Sequence, residues 1–347
     1  MNVTDFVESL GLSHPLTYAA LFIAASLLMI WRLEAMGRHG LEGTALGTLI
    51  TPYCSGLGNL LFVYLIFRDG GAGSGAEVMT NCLVNNVTNL TLVLALPAVI
   101  WGLEIVPQSS SSAKSGKGKP QKKARTAHSG KVETEKRLSR LSLTLTLAAV
   151  AFFTGTAWAL GADGKLDSTD GLVLVGLFLF WQCFQVIDVM KHNVRQKKTF
   201  SPMFYVDLIG VLIGAVLLYI SLDWLTHWLG TQKSGFISQA NIGWLSGWLM
   251  VLPNALLALY YGAKGRADVV YASQVGDGHI CIPLCVGLYA LLKPLALPAF
   301  FTTSLLILAA ALVVHFIAVV VLGRLPRFIG WGLIAAYSYF VYTGVLS

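Results

Sequence analysis

Apolar stretches long enough to cross a bilayer follow one another along almost the entire chain, and they leave few folds open to it. A membrane-crossing helix needs about twenty predominantly apolar residues. Ten runs answer to this, at roughly 16–32, 45–67, 78–103, 139–160, 170–190, 202–222, 240–261, 268–291, 297–321 and 327–346. In hydrocarbon every backbone N–H and C=O must be bonded internally, so runs of this kind form helices. The expected fold is an all-α membrane protein of about ten transmembrane helices. With 55% of its 347 residues hydrophobic and only 12% charged, the chain does not read as a soluble domain.

Charge sorting gives the orientation. With the N-terminus placed outside, the inside loops hold twenty Lys and Arg residues and the outside loops hold four, namely Arg68, Lys165, Lys233 and Lys293. Basic residues are retained on the cytoplasmic face, so both termini are expected outside. The expected location is a bacterial inner membrane or a plasma membrane. The net charge of +7 follows from this sorting and gives no reason to expect a nucleic-acid partner. Asp5 and Glu8 precede the first apolar run without a basic stretch, which argues against a cleaved signal peptide.

Two segments stand apart from the spans. Residues 107–138 are rich in Ser, Gly and Lys, lack apolar periodicity, and are expected as a disordered basic cytoplasmic loop. Its lysines suit anionic lipid headgroups as a possible partner. Glu133 to Arg140 is expected to begin the fourth helix as a charged overhang. The basic stretch 191–200 reads as a cytoplasmic linker. It divides the chain into a first five-helix unit, 1–190, and a second, 201–347. Because five is odd, the second unit enters the membrane from the opposite side, giving an inverted five-plus-five repeat.

Within this apolar background, two stretches look like one motif written twice. The first is Ser55-Gly56-Leu57-Gly58-Asn59, followed by Asn81 and the cluster Asn85-Asn86-Val87-Thr88-Asn89. The second is Val251-Leu252-Pro253-Asn254, followed by Gln274 and Gly276-Asp277-Gly278-His279. Asn59 precedes the basic turn residue Arg68 by nine positions, and Asn254 precedes Lys264 by ten. Paired, Gly- or Pro-interrupted apolar segments at matching places in two halves point to a transporter's binding site.

The side chains set the chemistry. Asn81, Asn85 and Asn89 recur every four residues and form one polar face of the third helix. Facing lipid, they would strand several donors and acceptors, so they must face protein or water; binding a solute and bonding helix to helix both satisfy that demand. Pro52, Gly56 and Gly58, with Gly247 and Pro253, are expected to loosen the backbone beside the amides and free carbonyl oxygens. Amide and carbonyl oxygens together make a neutral, hard ligand set suited to alkali or alkaline-earth cations. Asp277 falls near mid-membrane, where a carboxylate is costly unless a cation or proton answers it. Asp207 is the second acidic candidate. His279, two residues from Asp277, could carry a proton. The five cysteines, Cys54, Cys82, Cys183, Cys281 and Cys285, read as small packing residues within spans.

At these residues the chain resembles the cation/calcium exchanger superfamily. The Pro-Glu position of that family's first repeat looks like Gly58-Asn59 here, and that of the second like Pro253-Asn254. Its later Gly-Ser-Asn or Gly-Ser-Asp motif looks like Val84-Asn85-Asn86 and Gly276-Asp277-Gly278. The resemblance implies ten spans, ligand-bearing helix pairs at spans two–three and seven–eight, and cation antiport by alternating access. Its cation ligands would fall on Asn59, Asn86, Asn254 and Asp277, within a wider binding set of Ser55, Asn81, Asn85, Asn89, Gln274 and His279. Both family glutamates are asparagines here, which removes two negative charges from the site.

The expected function is thus a secondary-active antiporter for a cation other than a tightly bound calcium ion, coupled to protons or sodium. The partners are the bilayer and a small inorganic ion, and no cofactor is expected. The alternative is a non-transporting scaffold or regulatory subunit that kept the fold and lost the ligands. The sequence holds no His/Glu metal motif, no Ser-His or Ser-Lys arrangement at membrane depth, and no phosphate-binding glycine loop, so an enzyme is not expected.

Overall fold

The computed structural model describes residues 14–39, 51–69, 74–105, 122–193 and 201–346. Nearly all of them are helical. In order the helices are α1 (Pro15–Arg38), α2 (Thr51–Ser55), α3 (Leu57–Asp69), α4 (Gly75–Thr88), α5 (Leu94–Trp101), α6 (Lys122–Leu160) and α7 (Ser168–Asn193). The rest are α8 (Pro202–Thr231), α9 (Ile242–Ala263), α10 (Ala267–Ile280), α11 (Gly287–Leu292), α12 (Phe301–Ile317) and α13 (Arg327–Val341). Among the described residues, nine helical stretches are long and apolar enough to cross a membrane. They match nine of the ten expected spans. The remaining one, 45–67, lies partly outside the described residues, and its described part is broken at Gly56 between α2 and α3.

The same sequence of elements occurs twice. Helices α4 and α10 are each 14 residues long, and each passes into a π-helical turn, Asn89–Val93 in one case and Cys281–Val286 in the other. Each then resumes as α-helix and ends in a two-residue strand, β1 (Leu103–Glu104) or β3 (Leu295–Ala296). Strand β1 pairs with β4 (Arg324–Leu325), just before α13, and β3 pairs with β2 (Lys165–Leu166), just before α7. Prolines lie near both π-turns, at Pro97 and Pro283. A proline removes one helix N–H and crowds the preceding turn, which favours local rewinding of this kind.

Burial separates a centre from a rim. The spans containing α4 and α10 are 78% buried over their most apolar windows, whereas those of α7, α8 and α13 are 17% buried. The rim presents Phe180, Ile209, Leu306, Val313, Phe328 and Trp331 outward, an aliphatic and aromatic surface suited to a bilayer. At the centre, α9 lies against α4 through Gly243 and Gly247. A Cβ added at Gly247 would come within 2.8 Å of Val84 and 3.0 Å of the Asn81 carbonyl. Small residues four apart let two membrane helices approach backbone to backbone.

Helices α1 and α8 pair along their length. Tyr18 stacks on Trp224 with ring centroids 4.0 Å apart. At the other end Asp207, 1% exposed, accepts hydrogen bonds from Arg32 at 3.3 Å and pairs with His39 Nδ1 at 2.6 Å. The second acidic candidate is therefore answered by basic groups within the fold.

Three expectations change. Residues 122–138 were expected within a disordered loop, yet α6 begins at Lys122 and runs unbroken to Leu160. Lys, Ala, Arg and Glu in this stretch are good helix formers, and one glycine is not enough to stop a helix continuous with a membrane span. The remainder of that loop, 107–121, lies outside the described residues, as do 194–200 of the linker, whose first residues continue α7 to Asn193. Helix α9 passes through Pro253 without a break, so the loosening expected in both copies is confined, in these helices, to Gly56. Cys183 is exposed on the rim, while Cys82, Cys281 and Cys285 pack as expected.

Candidate functional site

The break at Gly56 leaves Ser55 as the last residue of α2, and its hydroxyl donates to Asp277 Oδ1 at 2.6 Å. On the other oxygen, Asp277 Oδ2 accepts from Asn89 Nδ2 at 3.1 Å and from Asn254 Nδ2. Asn89 is the first residue of its π-turn, and Asn254 sits one residue past Pro253. Four elements, α2, the α4 π-turn, α9 and α10, thus converge on one carboxylate. Asp277 is 0% exposed. Among the described residues its hydrogen-bonding partners are all neutral, in contrast to those of Asp207.

A second layer extends the cluster. Asn89 Nδ2 also donates to Asn85 Oδ1 at 3.0 Å, and Cys281 Sγ approaches the same oxygen at 3.5 Å. Gln274 Nε2 donates to the Asn254 carbonyl at 3.3 Å and to Ser273 Oγ at 3.0 Å. Asn81 turns instead to α9, donating to Ser246 Oγ at 2.9 Å. Counting along the paired 14-residue helices, Asn85 and Asp277 are each the eleventh residue, and Asn81 and Ser273 are each the seventh. This register sets Asn85, rather than its neighbour Asn86, opposite Asp277 in the repeated pattern.

The amide oxygens are the feature that suits an ion. Oδ1 of Asn59, Asn81, Asn86 and Asn89, and Oε1 of Gln274, are buried with no hydrogen-bond donor from the described residues. Both amide atoms of Asn59 are in that condition. Buried polar atoms without partners are rare and call for a bound group to answer them. A narrow space of about 10 Å³, room for the centre of one water-sized particle, is lined by Ser55, Asn254, Gly58, Pro253, Phe22 and Ser26 among others. It reaches the carboxylate cluster from the side of α1.

His279, an expected member, lies elsewhere. His279 stacks on Trp181 at 5.2 Å between centroids and meets Phe153 edge-on at 6.1 Å, toward α7 and α6. Residues two apart on a helix point about 200° apart, so nearness in sequence to Asp277 set it on another face. His315 bridges Tyr271 and the Leu90 carbonyl as a structural tie. Sequence reasoning missed Ser246 and Ser273, because single serines in apolar helices carry no periodic signal. The π-turns were signalled only by Pro97 and Pro283.

Residues 16–187 match the family model described as sodium/calcium exchanger protein. This match to the first half of the chain supports the cation/calcium exchanger superfamily. Solved structures of the sodium-calcium exchanger NCX_Mj share its fold. With the form soaked in 2.5 mM Na⁺ and 1 mM Sr²⁺ the TM-score is 0.66 at 15% identity, over 94% of this chain and 96% of that one. With the form soaked in zero Na⁺ and Ca²⁺ it is 0.64 at 15%, over 95% and 98%. No curated protein matches the chain. Its nine membrane-crossing stretches and shared fold make the chain an integral, multi-pass membrane protein with the fold of an exchanger.

Proposed function

We propose that this protein is a secondary-active cation antiporter working by alternating access, with Asp277 as the charge of its site. The observation that carries this reading is the meeting of both motif copies on one carboxylate: Ser55 and Asn89 from the first, Asn254 from the second. A site assembled across two halves is remade or opened as they move against each other, which is the requirement of alternating access. Asn59, Asn85, Asn86 and Gln274 would supply further oxygen ligands, the amides turning their oxygens to the ion.

The charge of the site argues against a tightly bound calcium ion. Asn59 and Asn254 stand where the resemblance implies glutamates, leaving one carboxylate among neutral ligands. Hard cations draw affinity from ligand charge count. The reading is therefore exchange of a less strongly held cation, coupled to protons or sodium. We further propose that the chain divides into inverted units at 1–190 and 201–347, with both termini outside and the basic segment 107–138 facing anionic lipid. Purified protein in liposomes, assayed in parallel for sodium, potassium, calcium and proton flux, tests the function. Exchange of a monovalent ion or proton is expected. Calcium exchange at low micromolar concentration would contradict the charge argument, and no flux of any cation would leave a scaffold role.

A further inference from the structure

We propose that the seam between α6 and α12 is a phospholipid site, in which a groove holds one acyl chain and Arg140 holds the phosphate of an anionic headgroup. The site is separate from the carboxylate cluster and from the basic segment 107–138. It stands whether or not the chain transports an ion.

A cavity of about 540 Å³ opens on the rim between these two helices. Small residues leave the space: Ala148, Ala151 and Gly155 on α6 and Ala309 on α12 line it. A Cβ added at Gly155 would meet no atom within 4 Å. Leu306 and Val313 beside it are 62% and 60% exposed, so the groove is open to the surrounding bilayer. The lining's one hydroxyl, on Thr154, is spent on the Val150 carbonyl of its own helix at 2.7 Å. From Leu147 to Trp158 the groove runs roughly 16 Å at 1.5 Å per residue. That is half of a hydrocarbon core of ~30 Å, the reach of one acyl chain.

Charge at the end of the seam selects the occupant. Arg140 is the first residue of its membrane span, so it lies at headgroup level. Its Nε donates to the Val319 carbonyl at 2.8 Å and its Nη2 to the Val320 carbonyl, in the π-turn that follows α12. The groove begins one turn from there on α12, at Phe316, and two turns along α6, at Leu147. A guanidinium carries five N–H donors. Two are used here, and no carboxylate pairs with Arg140 among the described residues. Arg324, just past the same π-turn, instead has Glu104 opposite it in the β1–β4 pairing. Lys136 and Arg137 occupy the turn of α6 before Arg140. The guanidinium fork matches phosphate oxygens, and basic pockets between membrane helices take anionic headgroups. A phosphate at Arg140 starts the acyl chain where the groove opens, and the chain lies stretched along the seam. It braces α6 from behind, since another face of that helix sets Val150 against Gly278, where an added Cβ would come within 2.9 Å.

The test incubates full-length protein in detergent with equal amounts of dioleoyl phosphatidylglycerol and dioleoyl phosphatidylcholine, and reads retained lipid by native mass spectrometry. A single phosphatidylglycerol should stay bound, in excess over phosphatidylcholine by about tenfold or more, as expected for a hydrogen bond to a charged group. Gly155→Leu fills the groove from open space. It should abolish retention of both lipids, while the lipid-free protein unfolds at the temperature of the wild type. Arg140→Gln should abolish the preference for phosphatidylglycerol and leave weak binding indifferent to headgroup. Should Arg140→Gln unfold through loss of its bonds to Val319 and Val320, Gly155→Leu decides alone. Equal retention of the two lipids by wild type, or unchanged retention in Gly155→Leu, would mean annular lipid only and overturn the proposal. So would a dimer that Gly155→Leu dissolves, which would seat a second copy of the chain in the groove.

Discussion

Asp207 and Asp277 are both buried carboxylates in membrane helices, and they have opposite surroundings. Asp207 joins α8 to α1 through Arg32 and His39, so its charge is answered inside the protein. Asp277 gathers a hydroxyl and two amides from three other elements and finds no basic residue among the described residues. A buried charge compensated by the fold holds the fold together; one left to neutral dipoles is available to something that comes from outside. The comparison separates a charge compensated by basic groups from one held by neutral dipoles without reference to position in the sequence.

The largest effect should come from exchanging each acid for its amide. Asp277→Asn should reduce cation flux to background with the protein still folded, because shape and most hydrogen bonds survive while the charge is lost. Asp207→Asn should show the reverse emphasis. Removing one partner of a buried ion pair typically costs about 3–5 kcal/mol, toward the lower end here because Arg32 is 29% exposed. Thermal unfolding in detergent should show a clearly lowered transition, with substantial flux in the folded fraction. If the two variants behave alike in both assays, the distinction is void.

The next test adds charge to the neutral site. Asn59→Glu with Asn254→Glu should strengthen calcium binding by at least about tenfold, or ~1.4 kcal/mol, measured by calorimetric titration. Each new carboxylate is costly to bury alone, by several kcal/mol, so the double variant should also become dependent on a divalent cation for stability. Tight calcium binding by the wild type would break the argument from charge.

A smaller effect is expected at Ser55. Its hydroxyl makes a 2.6 Å bond to Asp277 Oδ1. Hydrogen bonds to charged groups contribute roughly 1.5–3 kcal/mol, so Ser55→Ala should raise the KM for the transported cation by about ten- to a hundredfold. The smallest change belongs to His279. It stacks against Trp181 and Phe153 rather than facing the carboxylate, so His279→Phe should leave the pH profile of flux unmoved. A shifted profile would return His279 to the proton path.

The fold was largely legible because membrane burial imposes a strong pattern. Nine spans follow from apolar length alone, and the tenth, 45–67, is broken at Gly56, a residue already conspicuous in the sequence. The site was legible in part for a related reason: Asn85, Asn89, Asn254 and Asp277 are expensive in hydrocarbon, so their presence alone demanded an explanation. What the sequence withheld was direction. His279 and Asp277 are two residues apart yet serve different faces, and Asn81 leaves the Asn85–Asn89 face to meet Ser246. The start of α6 was missed because hydropathy sees the membrane and not the helix that protrudes from it. The π-turns, which set Asn89 against Asp277, follow from how a proline is absorbed by its neighbours, and a one-dimensional pattern does not contain that.

Whether the transported ion answers the charge of Asp277 is observed directly by infrared difference spectroscopy of that carboxyl group. Sodium or potassium added to purified protein at acidic pH should remove one protonated-carboxyl stretching band and raise a carboxylate band in its place. The same addition to Asp277→Asn should leave that region flat. An identical difference spectrum from wild type and Asp277→Asn would place the responding carboxyl elsewhere and contradict the account.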